Sequence, residues 1–250
     1  MGPLLRKKRQ QNRKEIKTVL PGQENISIRN KRADDTPTCS NTGRMKDLCE
    51  AGPEPPVTVT RDNIRFTNAP AGYRQILEVP EYRFSDIKQD DIVVDIGANV
   101  GAFCIRAAYY SDFVFAVEPL TQEILQKNIS LNGVSVTVLH SALGNGNVES
   151  ISWDGASRNM QTVSLKTLIG MTGGCDFLKC DCEGAEWLID PHDLAGIRRI
   201  EMELHLPPIS GPPSPLFLDY ISHNYNFQID YVPSQAPLGL LGYLHATRES

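Results

Sequence analysis

The sequence predicts an α/β fold, a mostly parallel, doubly wound sheet with helices on both faces, and three observations predict it. From residue 92 onward, short apolar segments rich in β-branched residues alternate with helix-like segments. Regular alternation of this kind argues for a sheet with right-handed crossovers. The first apolar segment, Ile92-Val-Val-Asp-Ile96, runs straight into Gly97-Ala-Asn-Val-Gly101, a small-residue turn suited to a strand feeding a helix. The chain then closes on two apolar segments joined by a turn containing Pro233, Pro237 and Gly239, which fits an antiparallel hairpin at one sheet edge.

Residues 1–57 differ from the rest. They carry 12 Lys and Arg against 7 Asp and Glu, net +5, whereas the remaining 193 residues carry 13 against 23, net −10. With few large apolar residues, 1–57 is expected to be a basic, largely disordered segment. Its head, residues 6–17, suits nucleic acid or an anionic surface, or is merely a solvated tail. Residues 58–250 form the folded domain, with 58–90 an extension and 91–250 the core. Within the extension, 58–66 alternates as an added strand and 82–87 leads into the first core strand. Core strands are expected at 92–96, 113–118, 136–140, 176–181, 198–203, 227–232 and 240–246, and helices at 100–110, 121–132, 162–170, 185–190 and 214–223.

The turn at 97–101 carries the first chemical signal. Small residues let a ligand approach the backbone, and N–H groups at a helix start favour anions or polar ligand atoms. Its Gly-x-x-x-Gly spacing is not Gly-x-Gly-x-x-Gly, which weakens a nicotinamide or flavin reading, and no Gly-Lys-Ser/Thr follows. The next strand ends in Glu118, followed by Pro119, where an acid can accept hydrogen bonds from both ribose hydroxyls. Close packing for the glycines and simple solvation for the acid are the bland alternatives. A second constellation, Lys179-Cys-Asp-Cys-Glu-Gly-Ala-Glu186, places three acids at the same carboxyl edge of the sheet.

Asp95-Ile-Gly-Ala-Asn-Val-Gly101, Val117-Glu118-Pro119, Ser141-Ala-Leu-Gly144 and Lys179-Cys-Asp-Cys-Glu-Gly-Ala-Glu186 together resemble the successive motifs of the FkbM family of S-adenosyl-L-methionine-dependent methyltransferases. The resemblance covers roughly residues 58–246. It implies a class I methyltransferase fold, a Rossmann-like sheet of about seven strands with the last antiparallel, and S-adenosyl-L-methionine as cofactor. On that reading Glu118 takes the ribose, and Gly97, Ala98, Asn99 and Gly101 cradle the methionine and ribose end. Asp95 orders the methionine ammonium, directly or through water, while Ser141 and Ala142 line the adenine. Pro119 and Asp181 complete the cofactor wall. The resemblance also turns Asp181, Glu183 and Glu186 toward the reaction space.

Methyl transfer to a hydroxyl needs an aligned acceptor and a place for its proton. The candidates are Asp181, Glu183, Glu203 and His205, the last two from Ile200-Glu-Met-Glu-Leu-His205. An imidazole is an apt base near neutral pH, and a surface histidine before Pro207-Pro208 is the plain alternative. The Asn/Asp-Pro-Pro-Tyr/Phe sequence of amino-nitrogen methyltransferases is missing after Cys180, where Asp181-Cys-Glu-Gly stands. This favours O-methylation of a sugar, glycan or other small molecule. An RNA-modifying enzyme served by the basic head, and a non-catalytic scaffold that binds the cofactor, are the alternatives. Packing is the expected role of Trp153 and Trp187, and the short segment between Gly144 and Gln161 leaves little for an acceptor lid. The six cysteines show no zinc-type spacing, so free thiols and no metal are expected. With no signal peptide or membrane span in view, the default location is the cytoplasm.

Overall fold

The computed structural model describes residues 56–67 and 81–248. It begins with an antiparallel hairpin, β1 (Val57–Val59) and β2 (Arg65–Thr67), in place of the single strand that alternation suggests for 58–66. Polar residues break the register there. Asn63 takes a positive φ of 63°, and Thr60 Oγ1 accepts the N–H of Ile64 at 3.1 Å, so local bonds close a turn. The head at 6–17, together with Cys39 and Cys49, lies outside the described residues.

β3 (Ile92–Ile96) is buried at all five positions, as a β-branched run must be when both sheet faces are covered. α1 (Ala102–Ala107) has six residues rather than the whole of 100–110. Gly101, at φ 97°, still belongs to the preceding turn, and the N–H groups of Tyr109 and Tyr110 return to Arg106 and Ala107 carbonyls in tightened i to i+3 bonds. β4 (Phe113–Val117), α2 (Gln122–Asn132) and β5 (Thr137–Leu139) follow. Next comes an outlying antiparallel hairpin, β6 (Val148–Trp153) with β7 (Ala156–Gln161). Its two-residue loop is Asp154-Gly155, at φ 47° and 80°, a pairing favoured where both loop residues need positive φ. Its strands are mostly exposed and polar, so they lack the apolar alternation that marks a half-buried strand.

α3 (Leu165–Thr172) is capped by Ser164, whose Oγ accepts from Thr167 N–H. β8 (Phe177–Cys180) then runs into two short 3-10 turns, Ala185–Leu188 and Pro191–Gly196, where the sequence suggests a helix over 185–190. β9 (Arg199–His205), α4 (Pro215–Asn224), β10 (Asn226–Tyr231) and β11 (Leu240–Thr247) complete the domain. Seven strands make one sheet in the order β10-β11-β9-β8-β3-β4-β5. Neighbours among β9, β8, β3, β4 and β5 are parallel, and β11 runs antiparallel to both β9 and β10. Apolar side chains pack on both faces.

Two contacts position the future site. On one face Phe103 of α1 stacks on Phe84 with centroids 4.7 Å apart and meets Tyr82 edge-on at 5.9 Å, which draws residues 81–87 over the end of β3. Alongside, the fully buried Asn128 of α2 accepts from Thr67 N–H at 2.8 Å and donates to Val100 O at 2.8 Å. It ties the N-terminal hairpin to the glycine turn. Asn128→Ala should therefore strand a buried donor and a buried acceptor and cost roughly 2–4 kcal/mol, read from urea unfolding. A loss within 0.5 kcal/mol, the scale of an ordinary surface change, would show that the tie carries little.

Candidate functional site

The carboxyl ends of β3, β4, β5, β8 and β9 open on a cavity of about 820 Å³. That is where a doubly wound sheet binds its ligands, beside the strand at which the winding reverses. Gly97 makes the approach possible. It sits at φ 75°, and a Cβ there would lie 1.7 Å from the carbonyl oxygen of Asp181, so the turn leaving β3 presses backbone to backbone against the end of β8. Gly97 and Ala98 N–H both donate to Val117 O at 3.0 and 3.2 Å. Asn99, at φ 48°, donates its N–H to Glu118 Oε2 at 2.8 Å. The other oxygen of Glu118 accepts from Leu120 and Thr121 N–H at 2.7 and 2.9 Å, at the start of α2 where negative charge is favoured. One carboxylate thus joins the two turns.

Gly97, Ala98, Asn99, Glu118, Pro119, Ser141, Ala142 and Asp181 all reach the cavity wall. Gly101 and Asp95 do not line it. A Cβ on Gly101 would strike Leu125 Cδ1 at 2.8 Å and Ile105 Cδ1 at 2.9 Å, so this glycine lets α1 and α2 pack. Asp95 is fully buried, and its Oδ1 lies 3.1 Å from Nζ of Lys179. Lys179, itself buried, also donates to Gly97 O at 2.9 Å, stands 3.7 Å from Asp181 Oδ2 and lies 5.5 Å from the centre of the Tyr82 ring. Burial pulls the ammonium down, but Asp95 and Asp181 more than offset it and hold it above the usual lysine range. Burial pushes the Asp95 carboxyl up, opposed chiefly by Lys179. Lys179 has no assigned role in the sequence reading, because only the register of β3 and β8 brings it beneath Asp95.

Part of the cavity wall is acidic. Glu81, Asp181, Glu183 and Glu203 all line it. Tyr82 OH donates to Asp181 Oδ2 at 3.2 Å and Tyr243 OH to Glu81 at 3.0 Å. Glu203 is pushed up to about 10, first by burial and then by the charge of Asp181 and a hydrogen bond shared with it. Burial likewise lifts Glu81 to about 7 and raises Glu183, with His205 opposing. Glu81, Tyr82 and Tyr243 are additions to the expected site. They come from a segment before the core and from the last strand, with no motif to mark them.

His205 departs from both of its sequence-based readings. Its side chain is 3% exposed, so it is no surface histidine, and it stands behind Glu183 rather than on the cavity wall. Nδ1 lies 3.0 Å from Glu186 Oε1 and Nε2 3.4 Å from Glu183 Oε2. Burial lowers its pKa, but the Glu186 hydrogen bond and the two glutamate charges outweigh burial and hold the ring toward its protonated form. Glu186, expected to face the reaction space, is fully buried, accepting from the N–H groups of His205 and Gly184, both at 2.8 Å.

The aromatic expectations divide. Trp187 packs edge-on against Phe217 and donates Nε1–H to His205 O at 2.8 Å. Trp153, expected to pack, is 45% exposed at the end of β6 and lines the cavity with Glu149, Ser150, Ile151 and Ser152. The segment between Gly144 and Gln161 therefore contributes a wall of the site. Cys104, Cys175, Cys180 and Cys182 are free thiols.

The strand order, the reversed final strand, and a cavity bounded by the first strand's glycine turn and the second strand's terminal acid make a doubly wound α/β sheet with a ligand-sized cavity at its carboxyl edge. No protein-family model and no curated protein matches the chain. Among solved structures it is similar to Trm5b from Pyrococcus abyssi, with a TM-score of 0.46 and 18% identity, covering 80% of this chain and 58% of that one. It is also similar to the T. thermophilus 16S rRNA N2 G1207 methyltransferase RsmC in complex with AdoMet and guanosine, with a TM-score of 0.45 and 15% identity, over 77% of this chain and 50% of that one. M. jannaschii TYW2 in complex with AdoMet matches with a TM-score of 0.46 and 16% identity, over 77% and 86%. The chain spans about half to three-fifths of the length of the first two. Among the described residues, no helix is long and apolar enough to cross a membrane.

Proposed function

We propose that this chain is an S-adenosyl-L-methionine-dependent methyltransferase of the FkbM type that methylates a hydroxyl of a sugar, glycan or other small molecule. One observation carries the reading: a single cavity is lined by a backbone turn, a strand-end acid and the acidic side chains of Glu81, Asp181, Glu183 and Glu203. The donor set suits the cofactor. Glu118, with three of its roughly four lone-pair sites taken by N–H groups, keeps one for a ribose hydroxyl, Ser141, Ala142 and Leu143 offer a largely apolar wall for an adenine, and the turn at 97–100 presents backbone toward the methionine end. Bound there, the sulfonium supplies an electrophilic methyl carbon. The protein has to aim the acceptor oxygen along the S–CH₃ axis and stabilise the charge it develops. Asp181, steadied by Tyr82 and Lys179, is the fixed point of the acceptor end, and Asp95 acts through Lys179.

The acceptor preference rests on chemistry. The acidic side chains of Glu81, Asp181, Glu183 and Glu203 on the cavity wall, with Glu203 held in its protonated form, offer hydrogen-bond donors and acceptors that suit an uncharged polyol. RNA modification is the second reading, favoured by the basic residues at 6–17. Deleting residues 1–19 should abolish nucleic-acid binding on that reading and change little on the first.

Calorimetric titration with S-adenosyl-L-methionine tests the proposal. The intact protein should bind one equivalent, and Glu118→Gln, which keeps the shape and removes the charge, should weaken binding by about 1.5–3 kcal/mol, roughly 10- to 150-fold. No binding by the intact protein at high concentration would overturn the reading. Cofactor binding without turnover across a panel of hydroxylated acceptors would point to a non-catalytic scaffold.

A further inference from the structure

One donor atom each from Asp181 and Glu183, which line the cavity, and from His205, which stands behind Glu183, lies within 4.8 Å of the other two. Atoms bound to one metal at about 2.0–2.2 Å stand at most roughly 4.4 Å apart, so a small inward movement would place all three around a common centre. Their separation is built in. Asp181 and Glu183 follow the end of β8 and His205 ends β9, and these strands are parallel neighbours with Cys180 opposite Met202.

Acidic groups collect at strand ends without holding anything, and the histidine is what distinguishes this cluster. Its ring is 3% exposed and is fixed through Nδ1 to Glu186, a fully buried carboxylate that is itself anchored by two backbone N–H groups. A carboxylate on the far nitrogen is how metal-ligating histidines are oriented. Nε2 makes no hydrogen bond among the described residues and faces Glu183 Oε2 at 3.4 Å. On the other side, Oδ2 of Asp181 accepts from Tyr82 OH and lies near Lys179, which holds this carboxylate in place beside the cluster. Glu203 of β9 and Glu81 line the same cavity from two further elements.

We propose that Asp181, Glu183 and His205 form a divalent transition-metal site whose remaining coordination positions open into the cavity and take the hydroxyl oxygen of the acceptor. A mixed carboxylate and imidazole set favours a first-row transition ion over magnesium or calcium. The binding site stands on its own geometry, and its role in catalysis rests on the methyltransferase reading. An acceptor oxygen held there releases its proton to solvent more readily. Its lone pair then bonds to the methyl carbon while the S–C bond breaks and that electron pair stays on sulfur.

The full chain, stripped with EDTA, is titrated with Co²⁺ and followed by visible absorption. Saturable binding of one Co²⁺ per chain, with ligand-field bands, is expected. Glu183→Gln and His205→Gln should each weaken it by at least about 10-fold. His205→Gln bears on the core, whereas the Glu183 side chain is 36% exposed, so Glu183→Gln should unfold at the wild-type temperature and keeps the test valid if the other variant fails to fold. Absence of saturable binding, or a wild-type titration for Glu183→Gln, overturns the site. Calorimetry with S-adenosyl-L-methionine on the same samples separates the two proposals. Cofactor binding without Co²⁺ binding removes the metal site alone, and the converse removes the methyltransferase reading alone.

Discussion

Lys179→Met is expected to destabilise the protein by about 3–5 kcal/mol, because it leaves the Asp95 carboxylate buried without its counter-charge. Asp95 is 0% exposed and Lys179 1%, so water cannot replace the lost partner. The same substitution removes the donor to Gly97 O at 2.9 Å, which loosens the turn at the cavity floor. Urea unfolding followed by circular dichroism measures the loss. The double variant Asp95→Asn with Lys179→Met should be less destabilised than the two single losses combined, with a coupling of roughly 0.5–3 kcal/mol for groups in contact. A single-variant loss below about 1 kcal/mol would mean that Lys179 is not the clamp described above.

Gly97→Ala should be comparably severe and should also remove function. Two costs combine there. An L residue at φ 75° pays about 1–2 kcal/mol for left-handed backbone, and its Cβ would lie 1.7 Å from Asp181 O, which forces the turn away from β8. That displacement moves Ala98 and Asn99 at the cofactor end and Asp181 at the acceptor end. Binding of S-adenosyl-L-methionine and of Co²⁺ should therefore fall together, alongside a drop in thermal stability. Gly146→Ala is the control. Gly146 has φ 92° and open space around it, so it pays the backbone cost alone and should leave both titrations intact. Wild-type cofactor affinity in Gly97→Ala would show that the close approach is not what shapes the cavity.

What was readable in the chain was whatever depends on neighbours in sequence. β3 follows from its β-branched run and α2 from its apolar periodicity, closed by Gly133 at φ 64°. The Asp154-Gly155 loop was equally local, but its flanking strands are polar and exposed, so the apolar alternation that announces a strand was missing there. The single strand expected over 58–66 failed for the opposite reason. Its alternation was adequate, and a three-residue polar stretch that closes a turn outweighed it.

Asp95 and Glu118 show where local reading ends. Both are acids on core strands beside a small-residue turn. Glu118 stands one residue past β4, facing the cavity and the start of a helix, whereas Asp95 lies inside β3 opposite Lys179 of the neighbouring strand. His205 and Glu186 are 19 positions apart and meet only because β9 lies beside β8. The sequence by itself determined the order of elements and the sheet edge at which the acids gather, since strand, turn and helix preferences act over a few residues. Only the tertiary structure decided which acids face the cavity, which are neutralised by buried partners, and which three groups converge on a single point. Those outcomes depend on sheet register and burial, which place groups distant in the chain within ion-pair range.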